Sequence, residues 1–219
     1  MPVRVRPWAP SMTSRLKAED LGLWRGDRCL CRGVSFTLDD GTLLQLVGAN
    51  GSGKTSLLRA VAGIGRLDEG RLSWDDQPIR RPSAYQGDLA YVGHHNGLKQ
   101  HLSATENYLF YQIVAEYSSS ITASEALGLF GLAGVADRPV ALLSMGQKRR
   151  AALARLLALK ARLWLLDEPL GSLDAAGTAL VMRLLRQHLE QGGMAMVSTH
   201  QPLELGSLPV QRLEMGTVS

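Results

Sequence analysis

The residues Gly48-Ala49-Asn50-Gly51-Ser52-Gly53-Lys54-Thr55 carry the spacing G-x-x-x-x-G-K-[ST]. Glycines at those positions let successive backbone N–H groups turn inward and form an anion nest. A helix beginning at the end of the run adds its partial positive charge. Lys54 can reach the outer phosphates of a nucleoside triphosphate, the Thr55 hydroxyl can ligate Mg²⁺, and Ser56 continues the loop into the helix. A chance glycine turn is the bland alternative. A second set of groups lies downstream. Leu163-Trp164-Leu165-Leu166 is apolar enough for a buried strand, and Asp167-Glu168 emerges at its carboxyl end. Ligands of open α/β sheets sit at that edge. Asp167 would hold Mg²⁺, through water. Glu168 is the group placed to polarise an attacking water.

These residues need a sheet edge and a helix start to hold them. Thr42–Val47 reads as a buried strand before the glycine loop, and Lys54–Ala62 as the helix after it. Leu16–Leu23, Val34–Leu38, Leu89–Val92, Leu163–Leu166 and Met194–Ser198 read as further strands. Gly70–Ile79 reads as a hairpin. Helical pattern covers Ala104–Tyr117, Thr122–Phe130, Gln147–Leu159 and Asp174–Gln191. Strands alternating with helices predict an α/β fold with a mainly parallel sheet covered on both faces. The early strands add an antiparallel β-subdomain, and the stretch 95–160 forms an inserted helical lobe. One domain over 16–219 with a basic tail at 1–15 is the expected organisation.

Composition narrows the class. The chain has 219 residues, 45% hydrophobic and 20% charged, with a net charge of +4. That is an ordinary globular balance with enough apolar content for a real core. No apolar run approaches the ~18 residues needed to span a bilayer. The best stretch, Leu153–Leu166, is interrupted by Arg155, Lys160 and Arg162. Met1–Arg15 holds arginines and prolines without an apolar centre, unlike a secretory signal, and Met12 is an alternative start. The two cysteines, Cys29 and Cys31, are too close in sequence to staple a domain and read as reduced strand thiols. His101 and His188 read as solvated helix histidines.

Leu143-Ser144-Met145-Gly146-Gln147 resembles the signature of the ATP-binding cassette (ABC) family, usually Leu-Ser-Gly-Gly-Gln. Met145 departs from that pattern. The resemblance runs from Leu16 to about Gly216. It implies ATP and Mg²⁺ as ligands and a homodimer of two cassettes working with membrane-spanning subunits. In such a dimer Ser144, Gly146 and Gln147 of one chain face the γ-phosphate held by the other. Gly171-Ser172-Leu173-Asp174 looks like the dimer-contacting D-loop. Ser198-Thr199-His200 looks like the switch histidine that contacts the γ-phosphate. Trp24 lies where family members stack an aromatic ring on adenine.

One position narrows the family. His94 stands where ABC proteins usually carry the glutamine that couples the metal site to the membrane partner. That histidine, with Thr199-His200-Gln201-Pro202, is similar to the haem-exporter ATPases of cytochrome c maturation. The resemblance implies an ATPase on the cytoplasmic face of the inner membrane, with haem handled indirectly and no nucleic acid bound. Direct haem or metal ligation by His94 and His95 is disfavoured, because adjacent residues of an extended segment point to opposite faces. An ABC ATPase for another solute and a non-transport ABC ATPase acting on nucleic acid are the alternatives. The latter lacks a basic surface beyond Lys148–Arg150.

Overall fold

The structure, a computed structural model, describes residues 16–79, 85–115 and 119–216. The proposed tail at 1–15 lies outside them. The chain begins with β1 (Leu16–Arg25) and β2 (Arg28–Leu38), joined at Gly26 and paired antiparallel through several register shifts. β2 starts six residues before the expected Val34. Cys29 and Cys31 face Trp24 and Leu23 across the ladder, and that pairing extends the strand. Both cysteines are free thiols, Cys31 buried and Cys29 half-buried.

β3 (Leu43–Val47) leads into the glycine loop and α1 (Lys54–Val61). β4 (Glu69–Trp74) then pairs with β1, and β5 (Gln77–Pro78) returns along β4. Asp75 and Asp76, at φ 50° and 59°, make the hairpin turn. Two successive left-handed residues match the right-handed twist of the strands they join, and Asp tolerates that conformation. The first sheet has the order β2-β1-β4-β5.

The second sheet is parallel throughout. It comprises β3, β6 (Leu89–Val92), β7 (Leu163–Asp167), β8 (Met194–Ser198) and β9 (Val210–Glu214), in the order β6-β7-β8-β3-β9. Every residue of β7 and β8 is buried. Alternate residues supply opposite faces. Trp164, Leu166, Ala195 and Val197 join one apolar cluster, while Leu163, Leu165, Met194 and Met196 join another with α1 and the antiparallel sheet. A sheet buried on both faces needs such continuous apolar strands. β9 was not anticipated, because Val-Gln-Arg-Leu-Glu is a largely exposed edge strand without an apolar run.

Between β6 and β7 lie α2 (Ala104–Val114), α3 (Ala123–Leu129) and α4 (Met145–Ala154). Each starts with a reciprocal capping box, formed by Ser103 with Glu106, Thr122 with Glu125, and Ser144 with Gln147. Hence α4 begins earlier than the expected Gln147, directly after its Ser144 cap. It ends at Ala154 and tightens into a 3-10 turn at Arg155–Leu157. α2 ends at Val114, and the expected last residue, Tyr117, is outside the described segments. Tyr108 is fully buried and donates to the Ile121 carbonyl at 3.0 Å, binding α2 to the approach of α3.

After β7, α5 (Ala175–Glu190) is capped by Asp174, whose carboxylate accepts from Gly177 N–H. The expected pair of solvated helix histidines is corrected here. His101 is exposed but sits in the turn before α2. His188 is buried on α5 and stacks on Trp164 with centroids 4.0 Å apart. Its Nε2 lies 3.1 Å from the Met194 carbonyl, and burial holds its pKa down at about 4. The apolar stripe of α5 faces the sheet, so an imidazole on that stripe is taken inside with it.

Candidate nucleotide site

The glycine loop leaves β3 at the carboxyl edge of the parallel sheet. Gly48 has φ 145°, and a Cβ there would overlap the Met215 carbonyl and crowd Ser52. Gly53, at φ 96°, is the residue before α1. Both positions need glycine, since side chains rarely adopt such backbone conformations. Lys54 is buried, and its ammonium donates to the carbonyls of Gly48 and Ala49 at 2.6 and 3.0 Å. Ser52 Oγ is buried without a hydrogen-bond partner. Buried polar atoms are usually satisfied, so this hydroxyl in the glycine loop fits a phosphate oxygen.

Asp167 stands at the end of β7, 2% exposed. One of its carboxylate oxygens accepts from Thr55 Oγ1 at 2.8 Å, the other from Ser198 Oγ at 2.5 Å. Hard oxygen donors of this kind fit Mg²⁺, and Thr55 with Asp167 would hold it. Glu168 has φ 47°, in the left-handed region where a side chain costs about 1 kcal/mol or more. Its N–H donates to Ser198, through both the carbonyl and Oγ. Its carboxylate faces the imidazole of His200, with Oε1 and Nε2 3.5 Å apart. The segment carrying His200 is held by Gln45 of β3, whose side-chain amide donates to the carbonyls of Thr199 and Gln201.

Trp24 is half-buried at the end of β1, with its N–H donating to Asp68 at 2.9 Å. Its ring folds back over Gly22, where a Cβ would meet the indole at 2.5 Å. His94 follows β6. The bend after that strand sets the rings of His94 and His95 edge to face with centroids 5.7 Å apart, rather than on opposite faces.

One cleft of about 740 Å³ is lined by Trp24, Asn50, Gly51, Gly53, Lys54, Thr55, Ser56, His94, Asp167, Glu168 and His200. Residues remote in sequence thus meet at a single sheet edge. Gly48, Ala49 and Ser52 belong to the same loop but not to that lining. Ser144, Gly146, Gln147 and Asp174 are not part of that lining. The first three lie at the start of α4, where Ser144 is exposed and Met145 is 69% exposed, and Asp174 caps α5. Arg150 pairs with Asp174 at 3.2 Å. A Cβ on Gly146 would come within 3.2 Å of the Ser172 carbonyl, which packs the signature turn against the D-loop segment.

Sequence reading did not assign a role to Gln45, Ser198 or Arg149. Arg149 stands between Lys148 and Arg150 in a basic run, so nothing local sets it apart. Its surroundings show only in three dimensions.

The ABC transporter family profile matches residues 31–171. The cytochrome c biogenesis ATP-binding export protein CcmA of Yersinia pestis is 45% identical over 199 residues, spanning 90% of this chain and 91% of its own. The CcmA of Salmonella typhi is 43% identical, spanning 91% of this chain and 96% of its own. Solved cassettes share the fold. An ABC transporter ATP-binding protein from Pyrococcus furiosus superposes with TM-score 0.76 at 20% identity, over 92% of this chain and 98% of that one. The dimeric structure of an ATP-binding cassette in a post-hydrolysis state, bound to ADP and Pi, gives 0.79 at 24% identity, over 91% and 96%. A shared profile across most of the chain, together with high identity along nearly its whole length, makes this chain an ABC-type ATPase of the ABC transporter family and, within that family, a member of the cytochrome c biogenesis ATP-binding export proteins.

Proposed function

We propose that the chain is the ATP-hydrolysing subunit of an inner-membrane complex for haem export, or release of haem from its carrier, in c-type cytochrome biogenesis. The pathway rests on the relatives named for that process and on the histidine at position 94. The reaction rests on one observation: Lys54, Thr55, Asp167, Glu168 and His200 converge on a single cleft.

The adenine lies against the Trp24 ring, and the loop N–H groups and Lys54 take the phosphates. Thr55 and Asp167 would hold Mg²⁺, which would supply positive charge against the phosphate oxygens. Glu168 accepts a proton from the attacking water as its oxygen bonds the γ-phosphorus, and the bond to the leaving ADP oxygen breaks. His200 orients the γ-phosphate and is itself set by Glu168. A second copy supplies Ser144, Gly146 and Gln147 to the other side of that phosphate, with Asp174 steering the dimer contact. Ser144 offers a hydroxyl and the start of α4 offers unpaired N–H groups.

The chain works on the cytoplasmic face, held by membrane-spanning partners. Among the described residues, no helix is long and apolar enough to cross a membrane. The helical lobe does present an apolar surface. Leu109, Ile113 and Val114 of α2 are 44%, 75% and 63% exposed. Exposed apolar groups on one helix suit a membrane subunit seated on this lobe, with His94 carrying the movement to the cleft. Haem is touched only through those partners, and nucleic acid is not among them.

The test is capture of the chain from membranes, with ATPase activity compared between wild type and Glu168→Gln. Expected are small polytopic membrane proteins and haem-carrying factors, with a variant that binds ATP and hydrolyses it ~10²–10⁴-fold more slowly. Recovery of a permease for another solute would discard the haem reading. Equal activity in both proteins would remove Glu168 from its role.

A further inference from the structure

Arg149 lies inside α4, four residues beyond the start of the signature helix, and is 5% exposed. Its guanidinium makes two pairs of hydrogen bonds. Nη2 donates to the carbonyls of Asp167 and Glu168 at 2.7 and 2.8 Å. Nη1 donates to the Gly93 carbonyl at 2.8 Å and to Asn96 Oδ1 at 3.1 Å. One planar group thus joins three parts of the site: the signature helix, the end of β7 that carries the acidic pair, and the segment around His94. Burial works against its charge, and the nearby Asp167 and Glu168 carboxylates work for it.

We propose that Arg149 is a positioning residue for ATP hydrolysis, one that sets the Glu168 carboxylate and the His94 segment relative to α4. This rests on Glu168 acting as the water-polarising base. The backbone at Glu168 turns through φ 47°, which fixes where its side chain leaves the chain. Ser198 holds the N–H side of that residue, and Arg149 holds its carbonyl. With both ends tied, the carboxylate is confined to the cleft beside His200. The same fork fixes Gly93, so movement of α4 on dimer closure reaches His94 and Glu168 together. A second arginine extends the strap, since Arg155 donates to the Asn96 carbonyl at 2.9 Å. Lysine cannot replace the fork. Its ammonium is a compact, strongly hydrated point charge that cannot span two strand ends at once. The nucleotide-gripping groups Trp24, Lys54 and Ser52 make no contact with Arg149 among its hydrogen bonds.

The experiment compares wild type, Arg149→Lys, Arg149→Gln, Asn96→Ala and Glu168→Gln in the full chain. It measures kcat and KM for ATP and, separately, ATP affinity by equilibrium dialysis. Expected for both Arg149 variants is a kcat at least tenfold lower with ATP affinity within twofold of wild type. Asn96→Ala, which removes one acceptor and leaves no stray charge, gives a smaller loss in kcat alone. It carries the test if Arg149→Gln fails to fold. Restoration of full kcat by lysine, or a parallel fall in kcat and ATP affinity, would reduce Arg149 to a packing role and overturn the proposal. An inactive Glu168→Gln beside fully active Arg149 variants would also overturn it while sparing the assignment of Glu168. Full activity in Glu168→Gln would instead remove the base on which the proposal rests.

Discussion

The two halves of the proposed ATP site are built differently. The phosphate-gripping half belongs to the interior: Ser52, Lys54, Asp167 and Ser198 are between 0% and 7% exposed, and both oxygens of Asp167 already accept hydrogen bonds. The signature half belongs to the surface. Ser144 and Met145 are exposed, as is the neighbouring Leu142 at 75%, and the turn is held by its own capping box. A half fixed by the core is preorganised within one chain. A half that faces outward does its work only against another surface. Under the proposed function, the contrast assigns ATP binding to one chain and hydrolysis to two.

The largest expected effect tests that contrast directly. Lys54→Ala removes the cation from the interior half, so ATP affinity and hydrolysis fall together. Ser144→Asp keeps the helix cap, because Asp caps as well as Ser, but places negative charge where the γ-phosphate of the other copy would come. Its ATP affinity, read by equilibrium dialysis at low protein concentration, stays at the wild-type value while steady-state hydrolysis drops ~10²–10³-fold. Equal weakening of ATP binding in both variants would break the comparison.

Much of this was legible in the residues. The glycine loop, the Asp167-Glu168 strand end and the parallel sheet follow from spacing and apolar runs, because the loop has a fixed glycine spacing and the central strands are buried along their whole length. The capping boxes could be read as well, but Gly146, a poor helix former, hides the start of α4. β9 was missed because an exposed edge strand carries little apolar pattern. His188 was misread for the opposite reason. A histidine on a helix looks solvated unless its position on the apolar stripe is weighed, and Gly193, whose Cβ would overlap the imidazole, gave no local warning. The ties made by Gln45 and Arg149 join residues far apart in the chain, and neither has a local signature.

The next effect concerns the core behind the interior half, where His188 stacks on Trp164 of β7. His188 has a folded-state pKa of about 4 against an ordinary value of 6.5. The folded chain keeps the imidazole neutral, while the unfolded chain binds the proton below pH 6.5. Its contribution is therefore fully present above pH 6.5 and is lost as pH falls towards 4, by about 3 kcal/mol in all. Urea unfolding across that range gives the slope. His188→Leu is less stable at pH 7 and loses the part of the slope that this histidine supplies. An unchanged slope would show that His188 is not buried neutral, and the core behind β7 would be less closed than its side chains indicate.

The smallest effect is on the surface half. Met145 occupies the first position of α4, where the N–H is unpaired in any case. Glycine costs about 1 kcal/mol in a helix interior and less in the first turn. Met145→Gly therefore leaves the melting temperature of the single chain within a few degrees, on the scale by which ~1 kcal/mol moves a domain of this size. ATP affinity is unchanged, because the residue is no part of the cleft lining. Only a reaction needing two chains can register the missing thioether. The dependence of ATPase rate on protein concentration is the measurement that registers it, and a shift of that curve by a few fold, in either direction, is the expected result. A curve that does not move would mean that nothing packs on this turn during turnover, and the second half of the site would have to be sought elsewhere on the surface.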